Sequence, residues 1–510
     1  MSAFDALFVG SSPNALAGAA RLAKSGARVC VVDTAHQVGG AVATDAFADG
    51  FRGDAGVASV ALDPDIAREL GLEIEVLRRD SATWLGDAKG EPVTLRAAPE
   101  LPRAFDDAVM LLRGIYRSEP PDVPALTGDD AATLGVLGAS LSALGPRGMH
   151  EALRLAFLPV RDFTREAGLD AAASALLAGV AVRGLTEGPF APGTTFGLLH
   201  RAAIDDALFR STARGGVQQV AEALAACARG AGAEIRLSAP GPLAVALDDG
   251  QARGVRLGDG TLLEASRVVS DLDARATFTR LVSPRLLDPE QNRAVRALRY
   301  RGSVARVHLG LRALPALRGV ARGALSGTLV VAPSVEAIER AWDDGKRGRA
   351  SSAPYVEVTL PSVLDPSLAP AGQHVLDAWV QHVPYGKGDR GDSADAGRDR
   401  PAVVRSVIEA LSPWCPGLGD LVVASRALLP EDIEARFGVT EGQLDGGEVR
   451  LDQAFFLRPL PGFSHHRTPI AGLYLAGSAA HPGGYSGRSG WNLAGQFLCS
   501  AGPPSGRSGP

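Results

Sequence analysis

The chemistry legible in this chain is that of holding phosphates and sugars. Gly10-Ser11-Ser12-Pro13-Asn14-Ala15 is a tight turn of small residues, Asp33 is a lone acid, and Gly39-Gly40 follows it closely. A turn that opens a helix offers free N–H groups and partial positive charge to a pyrophosphate. A carboxylate at a strand end can accept hydrogen bonds from ribose hydroxyls. A glycine pair lets the backbone pass close to a phosphate or a flat ring. Near the other terminus, Gly477-Ser478 and the loop His481-Pro482-Gly483-Gly484-Tyr485-Ser486-Gly487 use the same vocabulary, and Gly490-Trp491-Asn492 opens a helix. That second cradle of backbone amides suits a large ligand spanning both ends of the chain, although taken alone it reads equally as a structural turn. Catalytic acids and bases are not evident. His382, His465, His466 and His481 are available, but a histidine beside glycines is more often a loop donor than a catalyst.

The elements that must position these residues are plain. An apolar run, Ala6-Leu7-Phe8-Val9, precedes the turn; a small-residue helix follows it and stops at Gly26; Val29-Cys30-Val31-Val32 then closes on Asp33. Strand, turn, helix, strand and terminal acid make a dinucleotide-binding βαβ unit. Its glycine pattern is damaged. Of G-x-G-x-x-G only Gly10 survives, with Ser12 and Ala15 in the other places. Ala15 alters only helix packing, whereas Ser12 is expected to crowd the pyrophosphate, and Pro13 removes an N–H that could compensate. The alternative is a βαβ unit that keeps the fold and has lost its ligand.

With 510 residues and 46% hydrophobic content the chain can bury more than one core, so two domains are expected. A net charge of −5 argues against nucleic acid as a partner. Cys30, Cys227, Cys415 and Cys499 stand far apart, which excludes a disulfide framework, a redox pair and a cysteine metal site. No leader and no run of 18 apolar residues appears, so a soluble, cytoplasmic protein is expected.

Along the chain, Asp63-Pro64 starts a helix that Gly71 ends, and Arg78 to Thr94 reads as a small sheet or meander. Helical periods run from Pro102 to about Ala181, a natural cap over a pocket or an ordinary helical subdomain. After the rigid loop Gly188–Gly193 the first fold resumes. Arg214-Gly215-Gly216-Val217 leads a helix, and short strands near residues 234–237, 243–247, 254–257 and 262–265 precede Val268-Val269-Ser270. A second insert, about 284–449, carries strands at Val304–Leu309 and Val356–Leu360 and helices at Val335–Trp342 and Ala402–Leu411. Asp389–Arg400 reads as an exposed loop, and the Gly/Pro/Ser-rich tail as disordered.

These residues carry a resemblance. Gly10 to Gly40, followed by Gly215-Gly216, Gly258-Asp259-Gly260 and Val268-Val269-Ser270-Asp271, resembles the phytoene-desaturase-type FAD oxidoreductases. Pro333 to Asp344, Val358 to Pro366 and Leu473 to Gly484 are similar to the branch named for pyridine nucleotide-disulfide oxidoreductase domain-containing protein 2. The resemblance implies extended FAD, with Asp33 on the adenosine ribose, Gly10, Ser12, Pro13 and Asn14 at the pyrophosphate, and Gly39 and Gly40 nearer the flavin. It further implies Gly241 at the adenine, Gly477 and Ser478 at the pyrophosphate and ribityl chain, and Tyr485, Ser486 and Gly487 at the isoalloxazine. The bulk of Tyr485 departs from the family, as does the missing histidine at Leu444-Asp445-Gly446-Gly447.

The expected fold is α/β. A Rossmann-like FAD-binding domain is built from segments 1–85, 205–283 and 450–502, with an inserted α+β substrate or cap domain from 86–204 and 284–449 and a disordered tail at 503–510. The expected function is FAD-dependent oxidation or reduction of a small, largely apolar substrate by desaturation, saturation or isomerisation, with peripheral membrane contact and no nucleic acid. A non-redox or FAD-free assembly scaffold is the alternative.

Overall fold

Four-residue apolar strands that alternate with helices leave one economical arrangement, a parallel sheet covered on both faces. The computed structural model describes residues 3–59, 61–79, 81–86, 90–122, 126, 128–204, 211–386 and 399–500. Strand β1 (Ala6–Val9), helix α1 (Pro13–Lys24) and strand β2 (Val29–Val32) fall where the sequence pattern puts them. Both strands are wholly buried and pair in parallel. They are the third and fourth strands of a five-stranded parallel sheet, in the order Leu473–Leu475, Val268–Ser270, β1, β2, Glu234–Arg236. Three distant stretches of chain therefore build one sheet. On one face α1 packs between the helices Gln218–Gly230 and Arg488–Ser500 in an alanine-rich core. A Cβ on Gly18 would sit 2.7 Å from the Gly490 carbonyl oxygen, so glycine is what lets two of these helices touch.

The second sheet has seven strands, in the order Val422–Leu428, Val304–Leu311, His374–Gln381, Val356–Thr359, Thr328–Val331, Ala82–Leu85, Val93–Leu95. Its last two strands lie in the stretch read as a small meander. The two pair antiparallel with each other, and the hairpin also extends this sheet, because Ala82–Leu85 pairs in parallel with Thr328–Val331, a partner far away in sequence. Among the described residues the stretch from Arg103 to Ile204 forms six helices, of which Ala171–Val182 packs directly on this sheet. Ala171–Val182 is apolar all round and correspondingly buried, capped by Asp170, whose carboxylate accepts from the Ala173 N–H at 2.8 Å. The helix Pro64–Leu70 is capped by Asp63 and ends on Gly71 in the left-handed conformation.

The insert helices extend to Val335–Lys346 and Arg400–Leu411. Most of the 389–400 loop, and the tail, lie outside the described residues. Among the described residues no helix is long and apolar enough to cross a membrane. The four cysteines stand as free thiols, so thiol titration of denatured, unreduced protein is expected to find all four. Two or none would overturn that reading.

Candidate functional site

In an open parallel sheet ligands bind beyond the carboxyl ends of the strands. Here the residues just past those ends are Gly10 after β1, Asp33 after β2, Asp271 after Val268–Ser270, and Ala476-Gly477 after Leu473–Leu475. The tertiary fold brings them to one crevice. Gly10 turns the chain at φ +105, and its N–H donates to the Val32 carbonyl at 2.8 Å. Ser12 is the N-cap of α1, its hydroxyl accepting from the Asn14 N–H at 3.2 Å, and Pro13 fills the first helical position. The Asn14 side chain donates to the Gly484 carbonyl at 2.8 Å, which ties the turn to the C-terminal loop. Gly39, at φ +117, donates its N–H to the Ser11 carbonyl at 2.8 Å, and Gly40 lies against Ser12. Gly241 lies beside Thr34, next to Asp33.

The remaining sequence-derived residues divide. Gly477 packs on the Asp271 backbone, where a Cβ would come within 2.1 Å of its carbonyl oxygen, and the adjoining Ser478 carbonyl accepts from Arg458 at 2.9 Å. Tyr485 is buried in an apolar cluster with Ala41, Val42, Val217, Trp379 and Leu444. That burial pushes its phenol well above the ordinary tyrosine range. Ser486 and Gly487 instead meet the helix Pro64–Leu70 and its cap. The Ser486 carbonyl accepts from the Asp63 N–H at 3.0 Å, and a Cβ on Gly487 would touch Ile66 and Leu62 at 3.3 Å.

Asp271 is the residue the sequence reading missed. Its carboxylate accepts from the Ser12 N–H at 2.7 Å and from the Ser12 hydroxyl at 2.6 Å. The Ser12 hydroxyl is therefore engaged with an internal acid. Desolvation pushes the Asp271 carboxyl up to about 7, opposed by the two bonds from Ser12 and helped by the nearby Asp33. A signal for it existed. Asp271 follows a buried parallel strand as directly as Asp33 does.

The donor set otherwise fits FAD. Asp33 offers a carboxylate at the strand end, now accepting from the Ser11 hydroxyl at 2.6 Å and the Ala35 N–H at 2.9 Å. Two buried amide oxygens beside the turn, Asn14 Oδ1 and Gln218 Oε1, have no hydrogen-bond partner among the described residues, and ligand hydroxyls would satisfy them. A pyrophosphate at that turn would compete with the Asp271 carboxylate for the Ser12 N–H and hydroxyl. Asp33→Ala is expected to weaken FAD binding by about 1.5–3 kcal/mol in calorimetric titration. Equal affinities would remove Asp33 from the site.

A cavity of about 1260 Å³ adjoins the C-terminal loop at Pro482 and Ser486. Leu62, Leu101, Phe105, Leu177 and Leu198 line it, with Tyr116. The buried Tyr116 hydroxyl lies 2.7 Å from His200 Nδ1, and the His481 ring meets Tyr116 edge-on. Burial pushes His481 and His382 down to about 3 and His466 to about 4, so these rings are neutral at physiological pH. His466 Nδ1 bonds the Leu475 carbonyl at 2.8 Å, and His465 lies 2.9 Å from Asp130. Among the described residues no group of acids, histidines or cysteines could hold a metal.

Residues 9–69 match the model of the NAD(P)-binding Rossmann-like domain. The chain is 26% identical over 543 residues to mouse (Mus musculus) pyridine nucleotide-disulfide oxidoreductase domain-containing protein 2, covering 96% of this chain and 92% of that protein. It is 29% identical over 272 residues to the neurosporene-forming phytoene desaturase of Rhodobacter capsulatus, covering 53% of this chain and 49% of the relative. A wild-type putrescine oxidase structure bound to putrescine shares the fold at a TM-score of 0.59 and 20% identity, covering 97% of this chain and 99% of that one. Its sequence relatives support an FAD-dependent oxidoreductase similar to the phytoene desaturases, and its fold is shared with putrescine oxidase.

Proposed function

We propose that this oxidoreductase acts on a largely apolar substrate by desaturation, saturation or isomerisation of carbon–carbon double bonds. The observation that carries the reading is the cavity beside Pro482 and Ser486, with Leu62, Leu101, Phe105, Leu177 and Leu198 in its lining. FAD, when bound, supplies hydride or electron transfer. The chain supplies position and dryness. Leu101, Phe105, Leu177 and Leu198 exclude water from the substrate, while Asp33, Asn14 and the Gly39-Gly40 turn hold the cofactor end. Neutral His200 keeps the Tyr116 hydroxyl oriented at the cavity wall. Anaerobic addition of apolar polyenes to the yellow holoprotein is expected to bleach the flavin near 450 nm with at least one of them, or the reduced holoprotein to reoxidise. Flavin unresponsive in both directions counts against the reading.

A lipid surface is the proposed source of such a substrate. Met110, Val136, Leu153 and Phe157 are 69, 65, 61 and 62% exposed on the outer helices of the insert, an unusual set of apolar side chains to leave in water. Phe157→Glu is expected to reduce co-sedimentation with phosphatidylcholine vesicles by several-fold. Unchanged partitioning removes that helix from the contact.

The Asp271–Ser12 contact favours a second reading, an FAD-free scaffold that keeps the flavoprotein fold. A colourless preparation that refuses FAD at pH 6 as well as pH 8 selects it.

A further inference from the structure

The cavity is not uniformly apolar. Arg78, Arg79, Arg96, Arg113, Arg117 and Arg488 all reach its lining, against the acids Asp63, Glu100 and Asp106. Some of these cations are committed within the fold. Arg488 bonds Asp63 at 2.7 Å, Arg117 bonds Asp65 at 2.7 Å, and Arg113 donates to the Ala202 carbonyl at 2.7 Å. Arg79 is buried and stays charged, its pKa lowered by desolvation only to about 10. Arg78 and Arg96 differ from these. Both are exposed at the cavity, and among the described residues neither has an ion pair or a hydrogen bond.

Guanidinium is the side chain that matches carboxylate and phosphate oxygens through two parallel hydrogen bonds. Two uncommitted guanidiniums in a lining that also carries Leu62, Leu101, Phe105, Leu177 and Leu198 are therefore the recognition chemistry of a molecule with an anionic head and a hydrocarbon body. The volume agrees. At about 1260 Å³ the chamber exceeds the roughly 300–1,000 Å³ of ordinary small-molecule pockets, which leaves room for a long chain. Buried Pro482 and Ser486 line the same chamber.

We infer that the ligand of this cavity is a long-chain amphiphile with a single anionic head, carboxylate or phosphate. Arg78 and Arg96 take the head, and the chain runs past Phe105 and Leu198 toward Pro482 and Ser486. This rests on the reading of the cavity as the substrate chamber and narrows its substrate class.

The test is calorimetric titration of the full-length protein with hexadecanoate, hexadecyl phosphate and hexadecanol, each below its aggregation concentration. At least one anion is expected to bind tenfold or more tightly than the alcohol, and which anion does so separates the two head groups. The double variant Arg78→Gln/Arg96→Gln is expected to lose that tenfold preference while its affinity for hexadecanol stays the same. Charge reversal at one position, Arg96→Glu, is expected to weaken anion binding further. Equal binding of alcohol and both anions, no binding of any probe, or an undiminished preference in the double variant overturns the inference. Binding is read without turnover, so the two readings fail separately. A protein that refuses flavin yet discriminates the anion sinks the redox reading, and a flavoprotein blind to the head group sinks this one.

Discussion

Asp271→Ala is expected to bind FAD at least tenfold more tightly than the wild type at pH 8, about 1.4 kcal/mol, and with much less advantage at pH 6. The Asp271 carboxylate takes both the N–H and the hydroxyl of Ser12, two of the donors at the turn where a pyrophosphate would lie. Asn14 spends its N–H on the Ser12 hydroxyl, and Pro13 has none to give. A pyrophosphate there would therefore compete with two charge-assisted bonds and bring its charge toward an acid, with Asp33 adding negative charge nearby. The sign with pH follows from the raised pKa of about 7. Below it the acid is neutral and repels little; above it the full charge opposes the phosphates. Wild-type affinity is thus expected to fall between pH 6 and pH 8 while that of the variant stays nearly level. Fluorescence titration with FAD at the two pH values reads both effects. Weaker binding by Asp271→Ala would mean that the acid organises the turn for the cofactor instead of blocking it.

Asp377→Ala is expected to destabilise the protein by about 3–5 kcal/mol, the usual cost of stranding one partner of a buried ion pair. Arg306 and Asp377 have side chains 1% and 3% exposed, and one guanidinium nitrogen of Arg306 bonds both carboxylate oxygens of Asp377 at 2.6 and 2.7 Å. The same nitrogen donates to the Asp54 carbonyl at 2.9 Å, and His308 contacts that carbonyl at 3.0 Å. The cluster thereby fastens the strand Phe51–Asp54, which follows the Gly39-Gly40 turn, to the seven-stranded sheet. Burial raises Asp54 to about 6, with Asp377 adding to the rise, so the loss of Asp377 also relieves some repulsion and keeps the effect toward the lower end. Denaturant titration measures it. The paired change Arg306→Met/Asp377→Leu is expected to lose far less, since no charge is then left alone. A single variant as stable as wild type would show the pair to be dispensable.

Short-range structure was legible in the chain. Strand, turn, helix and strand from Ala6 to Asp33, and the helix between Asp63 and Gly71, stand where their caps, glycines and apolar runs put them, because such signals act over a few residues. The assignment of Gly10, Asn14, Asp33, Gly39 and Gly40 to one crevice was legible for the same reason, since one βαβ unit carries all of them. What meets that crevice depends on long-range pairing. Asp271 lies 259 positions from Ser12 and reaches it because parallel pairing of Val268–Ser270 with β1 aligns their carboxyl ends. Likewise the hairpin strand Ala82–Leu85 joins the seven-stranded sheet through Thr328–Val331, and Tyr485 and Ser486, adjacent in the chain, went to an apolar cluster and a cavity wall. Strand pairing between distant segments is chosen by burial and hydrogen bonding across the whole sheet, and no window of neighbouring residues contains that choice.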